Sequence, residues 1–524
     1  MPVIVQAGTF NAASLTVPDL YVNIQPPTAI GGNAVSTDRI GMVGTAPWGP
    51  VDTPVTVGSV ADYAAAFGAS TLLDTDMGTA VRFAALVGSS DFRCVRVTDG
   101  TDKAATSSIG GATSPIPLTS RYTGSGGNLT QYALVQNTTN TKMWTLQLVK
   151  PGLPAEAYTL VWGGISGDPT YAIFWKTLIG YINNGGGNYS ASKIAVAGTG
   201  NPGPPVATAL TYFQGGSDGE APATAKYVGT DTNPRTGMYA LRSTGCALGL
   251  VLDNADTDYW SEAVAFGLSE GVYMMLSGLS GTGYAAVANI LQTQGIDSYA
   301  AKALAGDWLY WYDSVAGTTR LLPPGIAAAA RLSQLTPADS GLNKQIAAGI
   351  LGSQQFGLST DGQSTPYSTA ELEDMAQNYV DVVTNPAPGG RYWALRFGHN
   401  TAQDASVWGD NYTRMTFYLA KTFAANFGQY VGGIVTPTYL ANVKGAIQAT
   451  LSSMMVAGLL SKDSAGNLPY KVICDGTNNP QAQTALGYVQ ADVSVRYSGI
   501  AEKFIINMDA GGTVTISTTS DTAA

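Results

Sequence analysis

The chain has 524 residues and a formal net charge of −10, and only 12% of its residues are charged. At roughly 100 to 200 residues per domain, this length predicts about three or four domains that each bury a core. An average soluble domain is about 25% charged, so we interpret the low charged fraction as a sign that other protein covers much of the surface. The chain has no run of basic residues to neutralise phosphates, which excludes direct binding of nucleic acid.

The first predicted element is a strand near the N-terminus, in which apolar residues alternate with polar or aromatic ones. It consists of Leu20, Tyr21, Val22, Asn23 and Ile24. The pair Gly31 and Gly32 follows as a hinge. The residues before this strand lack the basic flank and apolar block of a secretory signal, and no apolar run in the chain reaches the ~18 residues of a membrane span. We therefore expect a soluble chain, made in a cytoplasm and not inserted in a membrane.

The next stretch predicts an α/β domain that is interrupted by an insert. Strands are expected at 39–44 and 92–97, with helices at 59–67 and 76–87 between them. From 101 to 205 the chain is rich in Thr, Ser, Asn and Gly and shows period-two runs, as in a β-rich domain. The α/β pattern then resumes, with a strand at 249–252, a helix near 259–267 and a strand at 272–276. The α/β core is therefore predicted to be discontinuous.

The sequence beyond residue 366 predicts an α+β domain. Ser368 and Glu371 have capping-box spacing, and an apolar stripe from Leu372 to Val383 predicts one long helix. A second long helix carries a stripe of Leu440, Val443, Ile447, Leu451 and Met454. Phe504, Ile506 and Met508 alternate with their neighbours and predict a strand.

A last alternating segment ends the chain. Gly511 and Gly512 form a predicted hinge, and they precede a predicted linker strand of Thr513, Val514, Thr515 and Ile516.

These elements predict a multidomain α/β and α+β chain with extended linker strands at both ends. The predicted parts are an N-terminal arm at 1–35, a discontinuous α/β core at 36–100 plus 206–365, an inserted β-rich, sandwich-like domain at 101–205, a C-terminal α+β domain at 366–510 and a C-terminal linker strand at 511–524.

An enzyme is the alternative of a different class, and its least implausible site is a serine hydrolase pair. Residues 267–271 match GxSxG around Ser269, and His399, the sole histidine, lies downstream. A nucleophile elbow requires a strand before the serine and a helix after it, whereas the predicted order is the reverse. One histidine also excludes histidine-cluster metal sites. We therefore predict no catalytic, cofactor-binding or metal-binding residues.

Two further motifs have structural interpretations. Residues 198–203 match GxGxxG, but Pro204 and Pro205 stand where a phosphate-binding helix would continue, so we interpret the stretch as a linker. Asp253, Asp256 and Asp258 follow a predicted strand, and their spacing does not match a calcium loop. Capping of the next helix is the favoured interpretation.

Three cysteines, Cys94, Cys246 and Cys474, form no CxxC pair. Their number and spacing exclude a cysteine-based zinc site and a simple disulfide framework. We interpret them as buried thiols, and disulfides between subunits are the alternative.

Several segments, in order along the chain, resemble those of the contractile tail sheath family. They are PDLYV at 18–22, IGMVGTAPWGP at 40–50, YTGSGGN at 122–128, GGSDG at 215–219, RLLPP at 320–324, VICDGTNNP at 472–480 and AEKF at 501–504. The stretch 387–433 departs most from the family pattern.

The resemblance implies a structural subunit that forms stacked hexameric rings in a helical array around a tail tube. Such a sheath contracts from a metastable extended state and drives the tube through a host envelope. Its implied partners are further copies of itself, the tube protein, and baseplate and neck or terminator proteins. We expect the two terminal linker strands to join the copies by pairing with a sheet of a neighbouring subunit. Its implied location is the tail of a phage particle assembled in the host bacterial cytoplasm. A bacteriocin-like or other contractile injection machine is the alternative setting.

Overall fold

The computed structural model describes residues 4–6, 21–23, 35–69, 76–110, 113–162, 171–254, 256–355, 357–358, 367–385, 387–506 and 508. The helices there are α1 Val60–Phe67, α2 Met77–Val87, α3 Ala172–Asn184, α4 Thr224–Val228, α5 Trp260–Glu270, α6 Tyr284–Thr293, α7 Pro324–Ser333, α8 Thr369–Gln377, α9 Asp410–Phe427, α10 Pro437–Val456 and α11 Gln481–Thr484.

The strands are numbered in chain order as well. Strands β1 to β12 are Ile4–Gln6, Tyr21–Asn23, Ile40–Gly44, Val55–Val57, Phe92–Arg96, Thr106–Ile109, Ile116–Ser120, Gln131–Gln136, Met143–Val149, Glu156–Val161, Ala195–Ala197 and Thr208–Tyr212. Strands β13 to β24 are Leu248–Val251, Tyr273–Ser277, Ala301–Leu304, Leu309–Asp313, Thr318–Leu322, Ile350–Ser353, Gly357–Leu358, Val380–Asp381, Val383–Thr384, Ala394–Leu395, Tyr470–Ile473 and Asp492–Val495.

The largest sheet has seven strands in the order β20-β15-β14-β13-β3-β5-β4. Its pairs are parallel, except that edge strand β4 runs antiparallel to β5. Central strand β3 is buried along its whole length because both faces are covered, as parallel sheets require. Ile40 and Met42 face one apolar core, and Val43 faces the other. Two distant stretches of chain therefore build one sheet, and the predicted α/β fold class is confirmed.

Side chains cap the predicted helices where the sequence indicated. The Ser59 side chain accepts a hydrogen bond from the Asp62 N–H and begins α1, and the Asp76 side chain does the same for Thr79 at the start of α2. Ser368 and Glu371 form the predicted capping box of α8. These starting points are confirmed.

The insert contains two antiparallel sheets and a helix around one apolar core. The sheets have the orders β10-β9-β8-β12 and β11-β7-β6, and helix α3 completes the core. The period-two run in β9 places Trp144, Leu146 and Leu148 inside, as predicted. Strand β12 pairs with β8, although the predicted boundary at residue 205 assigned it to the α/β core. A smaller antiparallel sheet, β17-β16-β18-β19, packs on the same apolar core as Ile40 and Met42 of the α/β domain.

The C-terminal region packs α9 and α10 against the two-stranded sheet of β23 and β24. All five predicted stripe residues of α10 are buried, so that prediction is confirmed. The predicted helix from 368 to 383 is wrong in its length. Helix α8 ends at Gln377, Tyr379 has a φ of 58°, and β20 then joins the seven-stranded sheet. Pairing with β15 places Val380 in an apolar core and Asp381 beside the buried Lys302.

Candidate functional site

The predicted N-terminal linker strand is present in its central part. Tyr21 and Val22 belong to β2, which pairs in parallel with β1, so that Val22 lies opposite Val5. The remaining predicted linker and hinge residues lie outside the described residues; they are Leu20, Ile24, Gly31, Gly32, Gly511, Gly512, Thr513, Val514, Thr515 and Ile516. Pairing of these strands with a neighbouring subunit therefore stays a prediction.

Residues 499–506, which we call the C-terminal segment, are exposed except for the half-buried Ile500. The predicted strand through Phe504 is wrong here, since residues 501–506 belong to no strand. Phe504 is 87% exposed and Ile506 is 75% exposed. A strand requires a neighbour for its backbone hydrogen bonds, and none of the described strands of this chain lies alongside. The segment therefore presents large apolar side chains to its surroundings.

An open groove lies between this region and helix α9. Strand β24 pairs with β23 along one side, and the described residues place no strand along its other side. The groove, which we call the β24 groove, has a volume of about 660 Å³. Its apolar and aromatic lining includes Trp408, Leu419, Phe423, Val493, Val495 and Tyr497. Apolar side chains of β24 and α9 therefore face each other across an unfilled space.

A buried ion network fixes the base of this region to the seven-stranded sheet. Lys302, on β15, is fully buried and lies 2.6 Å from Asp381 and 3.1 Å from Asp410. Its ammonium group also donates to the His399 carbonyl at 2.7 Å. Asp410 begins α9 and accepts a hydrogen bond from the Tyr273 hydroxyl. Lys302 thus joins β15, its neighbour β20 and the start of helix α9 through one ammonium group.

The pKa values in this network move in opposite directions. Burial raises the pKa of Asp381, but the Lys302 ammonium and the backbone N–H donors outweigh it and hold the pKa below its usual range. Burial lowers the pKa of Lys302, but the two carboxylates outweigh it and leave the pKa raised. Both groups are therefore charged at neutral pH. Neither group was predicted from the sequence. The pattern that could have indicated a buried charge is a lysine within the short apolar strand β15.

A second buried network joins α2 to the sheet of β16 and β17. Asp313 lies 2.8 Å from Arg82 and 3.2 Å from Arg320, and all three side chains are buried. Asp313 also accepts hydrogen bonds from two backbone N–H groups in the turn after β16. Such pairing satisfies charges that would otherwise be costly in a core.

Arg96 joins the α/β core to the insert. Its buried guanidinium donates to the carbonyls of Ala46 and Gly49, and also to the carbonyl of Thr123 in the insert. Gly124 has a φ of 116°, and a Cβ there would collide with the Pro47 carbonyl oxygen. The two parts of the chain therefore contact each other closely through backbone atoms.

Comparison with known proteins relates this architecture to contractile sheaths. Residues 37–82 match the family model for the N-terminal region of domain III of the tail sheath protein Gp18. The sheath tail protein of Listeria innocua is similar at 12% identity, over 85% of this chain and 90% of that one, with a TM-score of 0.59. This chain has the fold of a tail sheath protein. The predicted resemblance is confirmed.

Other solved structures extend the sheath fold over nearly the whole chain. The sheath tail protein of Desulfitobacterium hafniense is 13% identical over 87% of this chain and 93% of that one, with a TM-score of 0.55. The baseplate structure of the anti-feeding prophage includes a chain that is 10% identical, over 95% of this chain and 99% of that one, with a TM-score of 0.51. No curated protein sequence matches this chain.

The serine hydrolase pair is not assembled within this sheath fold. Ser269 lies near the end of helix α5, and its hydroxyl donates to the Phe266 carbonyl of the same helix. Strand β14 follows it, so the strand-turn-helix order of a nucleophile elbow is absent. The His399 ring contacts Glu502 instead. Residues 198–203 lead into β12 and not into a helix, which fits the predicted linker.

The predicted capping role of the three aspartates is wrong. Helix α5 has Tyr259 at its N-cap, with no capping hydrogen bond from a side chain. Asp253 accepts hydrogen bonds from the backbone and side chain of Thr45, and Asp256 bonds Thr224. Asp253 therefore connects the ends of neighbouring strands β3 and β13, and Asp256 contacts the start of α4, which are long-range roles that local sequence spacing does not show.

All three cysteines are free and buried in this chain, with exposures of 0 to 2%. Burial raises the pKa of each thiol, which disfavours the reactive thiolate. A disulfide between subunits would require the backbone around a cysteine to move.

The described residues contain no group of three or more His, Cys, Asp or Glu side chains that is placed to hold a metal ion. None of the described helices is long and apolar enough to cross a membrane.

Proposed function

We propose that this chain is the structural, non-enzymatic subunit of a contractile sheath, in a phage tail or a related injection machine. The observation that carries the proposal is the likeness to sheath proteins over 85 to 95% of the chain. One of these relatives is the sheath of an extracellular contractile injection system in its contracted state, with a TM-score of 0.50.

We also propose how the subunits assemble and act, by analogy with the sheath proteins that share this fold. Subunits form hexameric rings that stack helically around a tail tube, bind baseplate and neck or terminator proteins, and contract to drive the tube through a host envelope. The particle is assembled in the bacterial cytoplasm. The six-fold symmetry of the anti-feeding prophage baseplate supports the ring size by analogy. A bacteriocin-like machine remains the alternative setting.

Electron microscopy of the purified chain tests this proposal. We expect rings, or tubes of stacked rings, because a heterologous interface that does not close generates a helical array. A monomer that is labelled at Ser269 by a serine-reactive probe would support the hydrolase alternative and contradict the sheath.

We further propose that terminal strands link neighbouring subunits at the β24 groove. A two-stranded sheet is marginally stable in isolation, so β23 and β24 gain from an added strand. The apolar residues Leu20, Val22 and Ile24 alternate as such a strand requires, and Val514 and Ile516 do the same at the other end. Backbone hydrogen bonds of this kind give directional links that persist while the subunits rotate about the glycine hinges.

Matched variants of the last strand test the links. Replacing Val514 and Ile516 together by asparagine removes its apolar face and is expected to shorten or abolish sheaths. Replacing Thr513 and Thr515 by asparagine alters the other face and is expected to leave them intact. Deleting all residues after Gly512 serves as the limiting case. Sheaths of normal length from the deleted chain would refute strand linking.

Contraction without nucleotide hydrolysis requires energy stored in the assembled lattice. Apolar burial of about 25 cal/mol per Å² gives roughly 10 kcal/mol for an extra ~400 Å² per subunit, before opposing terms. Reconstructions of extended and contracted sheaths measure this area directly. A contracted form that buries no more surface than the extended form would contradict the mechanism.

A further inference from the structure

Among the described residues, one side-chain hydrogen bond ties the C-terminal segment to the rest of its chain. Up to Ser498 the chain is tied down: the Asn411 amide donates to the Ser498 carbonyl, and the Ser461 and Ser498 hydroxyls lie 2.8 Å apart. Beyond Ser498, among the described residues, the next hydrogen bond is between the His399 ring and Glu502, with Nε2 and Oε1 3.1 Å apart. Since an ionised carboxylate only accepts, the ring N–H donates.

The His399 ring is positioned for this contact by its surroundings. It stacks on Trp408, with ring centroids 4.4 Å apart and an angle of 17° between the planes. Its backbone carbonyl accepts a hydrogen bond from Lys302 in the buried network, and its backbone forms an isolated antiparallel β-bridge with Gly409. The histidine is therefore fixed to the rigid part of the chain, while Glu502 belongs to the exposed segment.

The contact lies where two open grooves meet. One is the β24 groove, and the other is a cleft of about 1010 Å³ beside α8. Trp408, Ile500 and Glu502 line both of them. The segment therefore crosses the rim between the groove that we propose for a neighbour's strand and the cleft beside it.

We propose that the His399–Glu502 contact is a latch. It keeps residues 499–506 on their own subunit before assembly, and it opens when a neighbouring subunit takes up the C-terminal strand. This role rests on the proposed sheath function. A partly exposed pair, with side chains 15% and 30% exposed, shifts such an equilibrium by roughly two- to fivefold. That is strong enough to bias the segment and weak enough for interface contacts to replace it.

Trypsin cleavage of the unassembled chain measures opening of the latch. Lys503 follows Glu502 directly, so opening of the latch should free the backbone around Lys503 for faster cleavage. Lys462, exposed in a separate loop of the same region, provides an internal reference. When opening is fast, cleavage tracks the population of the open form. We expect Glu502→Ala to raise the ratio of cleavage after Lys503 to cleavage after Lys462 about two- to fivefold.

Two variants separate the latch from general loosening. Glu373→Ala removes an exposed carboxylate from the wall of the same cleft and is expected to leave the ratio unchanged. His399→Phe keeps a ring to stack on Trp408 but removes the donor, and is expected to match Glu502→Ala. The double variant of His399→Phe and Glu502→Ala should show the same cleavage ratio as either single variant, because both substitutions remove the same interaction. An unchanged ratio in Glu502→Ala, or additive effects in the double variant, would overturn the latch.

An assembly assay separates this proposal from the proposed function. Light scattering of the Glu502→Ala chain should show a shorter lag before sheath growth than that of Glu373→Ala. If sheaths form with the same lag for both variants, the latch fails and the sheath function stands. If cleavage after Lys503 rises but the chain forms neither rings nor tubes, the sheath function fails and the contact is only an intramolecular tether.

Discussion

Replacing Lys302 by methionine tests the buried network at the base of the β24 groove. Methionine has a similar length but leaves Asp381 and Asp410 buried without their cation. Removing one partner of a buried ion pair costs about 3–5 kcal/mol. Asp381 keeps hydrogen bonds from the backbone N–H groups of residues 382, 396, 397 and 398. We therefore expect the free energy of unfolding to fall by about 3 kcal/mol, the lower end of this range. At about 2–4 °C per kcal/mol for a domain of this size, the melting temperature should fall by roughly 10 °C.

Thermal unfolding followed by circular dichroism, with Lys344→Met as control, measures this loss. The control residue is half-buried and lines the open cleft beside α8. Adding Asp410→Asn to Lys302→Met removes one uncompensated charge and should recover part of the stability. A melting temperature within about 2 °C of the wild type would show that the network contributes little, and the reasoning from burial would then be wrong.

The pH dependence of this variant has a defined sign. The folded pKa of Asp381 is lowered, so its contribution is present above the unfolded value of about 3.9 and is lost as pH falls through the folded pKa. The folded pKa of Lys302 is raised, so its contribution is present below about 10.4 and is lost as pH rises through the folded pKa. We expect the difference in the free energy of unfolding between the wild type and Lys302→Met to be constant from about pH 5 to 10. It should shrink as pH falls through the folded pKa of Asp381, because protonation of Asp381 removes its attraction to Lys302 in the wild type.

Three further outcomes are expected. Arg96→Lys should destabilise the junction between core and insert by about 1–3 kcal/mol in urea unfolding, because a lysine cannot reproduce the guanidinium fork; a neutral result would contradict the role of this fork. Ser269→Ala should change stability by less than about 0.5 kcal/mol and leave ring formation intact, and loss of assembly would show an unrecognised role for Ser269. Non-reducing gels of assembled particles should show no ladder, because all three thiols are buried; a ladder that collapses with reductant would establish disulfides between subunits.

Local patterns predicted the elements whose determinants are local. The capping box at Ser368 and the stripe of α10 depend on residues three or four apart, and both agree with the structure. The same rule failed where tertiary pairing decided the outcome. Val380 and Asp381 continue an acceptable helical pattern, but β15 offers them a place at the edge of the seven-stranded sheet.

The candidate site was harder to predict because its parts are far apart in sequence. Lys302 and Asp410 are separated by more than a hundred residues, and nothing local to either residue indicates that they meet. The contact of Glu502 with His399 spans a similar distance. The apolar alternation at Phe504 predicted a strand that does not form, because a strand needs a partner and none of the described strands lies alongside this segment.

The buried networks also change the interpretation of the low charge. Among the described residues, the buried charged side chains are Asp76, Arg82, Arg96, Lys150, Lys302, Asp307, Asp313, Arg320, Asp381, Asp410 and Arg414. Charged groups are rarely buried unless they are paired, and several of these join segments that are distant in the chain. These eleven charged side chains are therefore absent from the surface of the chain. Charges placed inside hold distant segments together, while a surface with few charges loses little solvation when neighbouring subunits cover it, as repeated packing in a sheath requires.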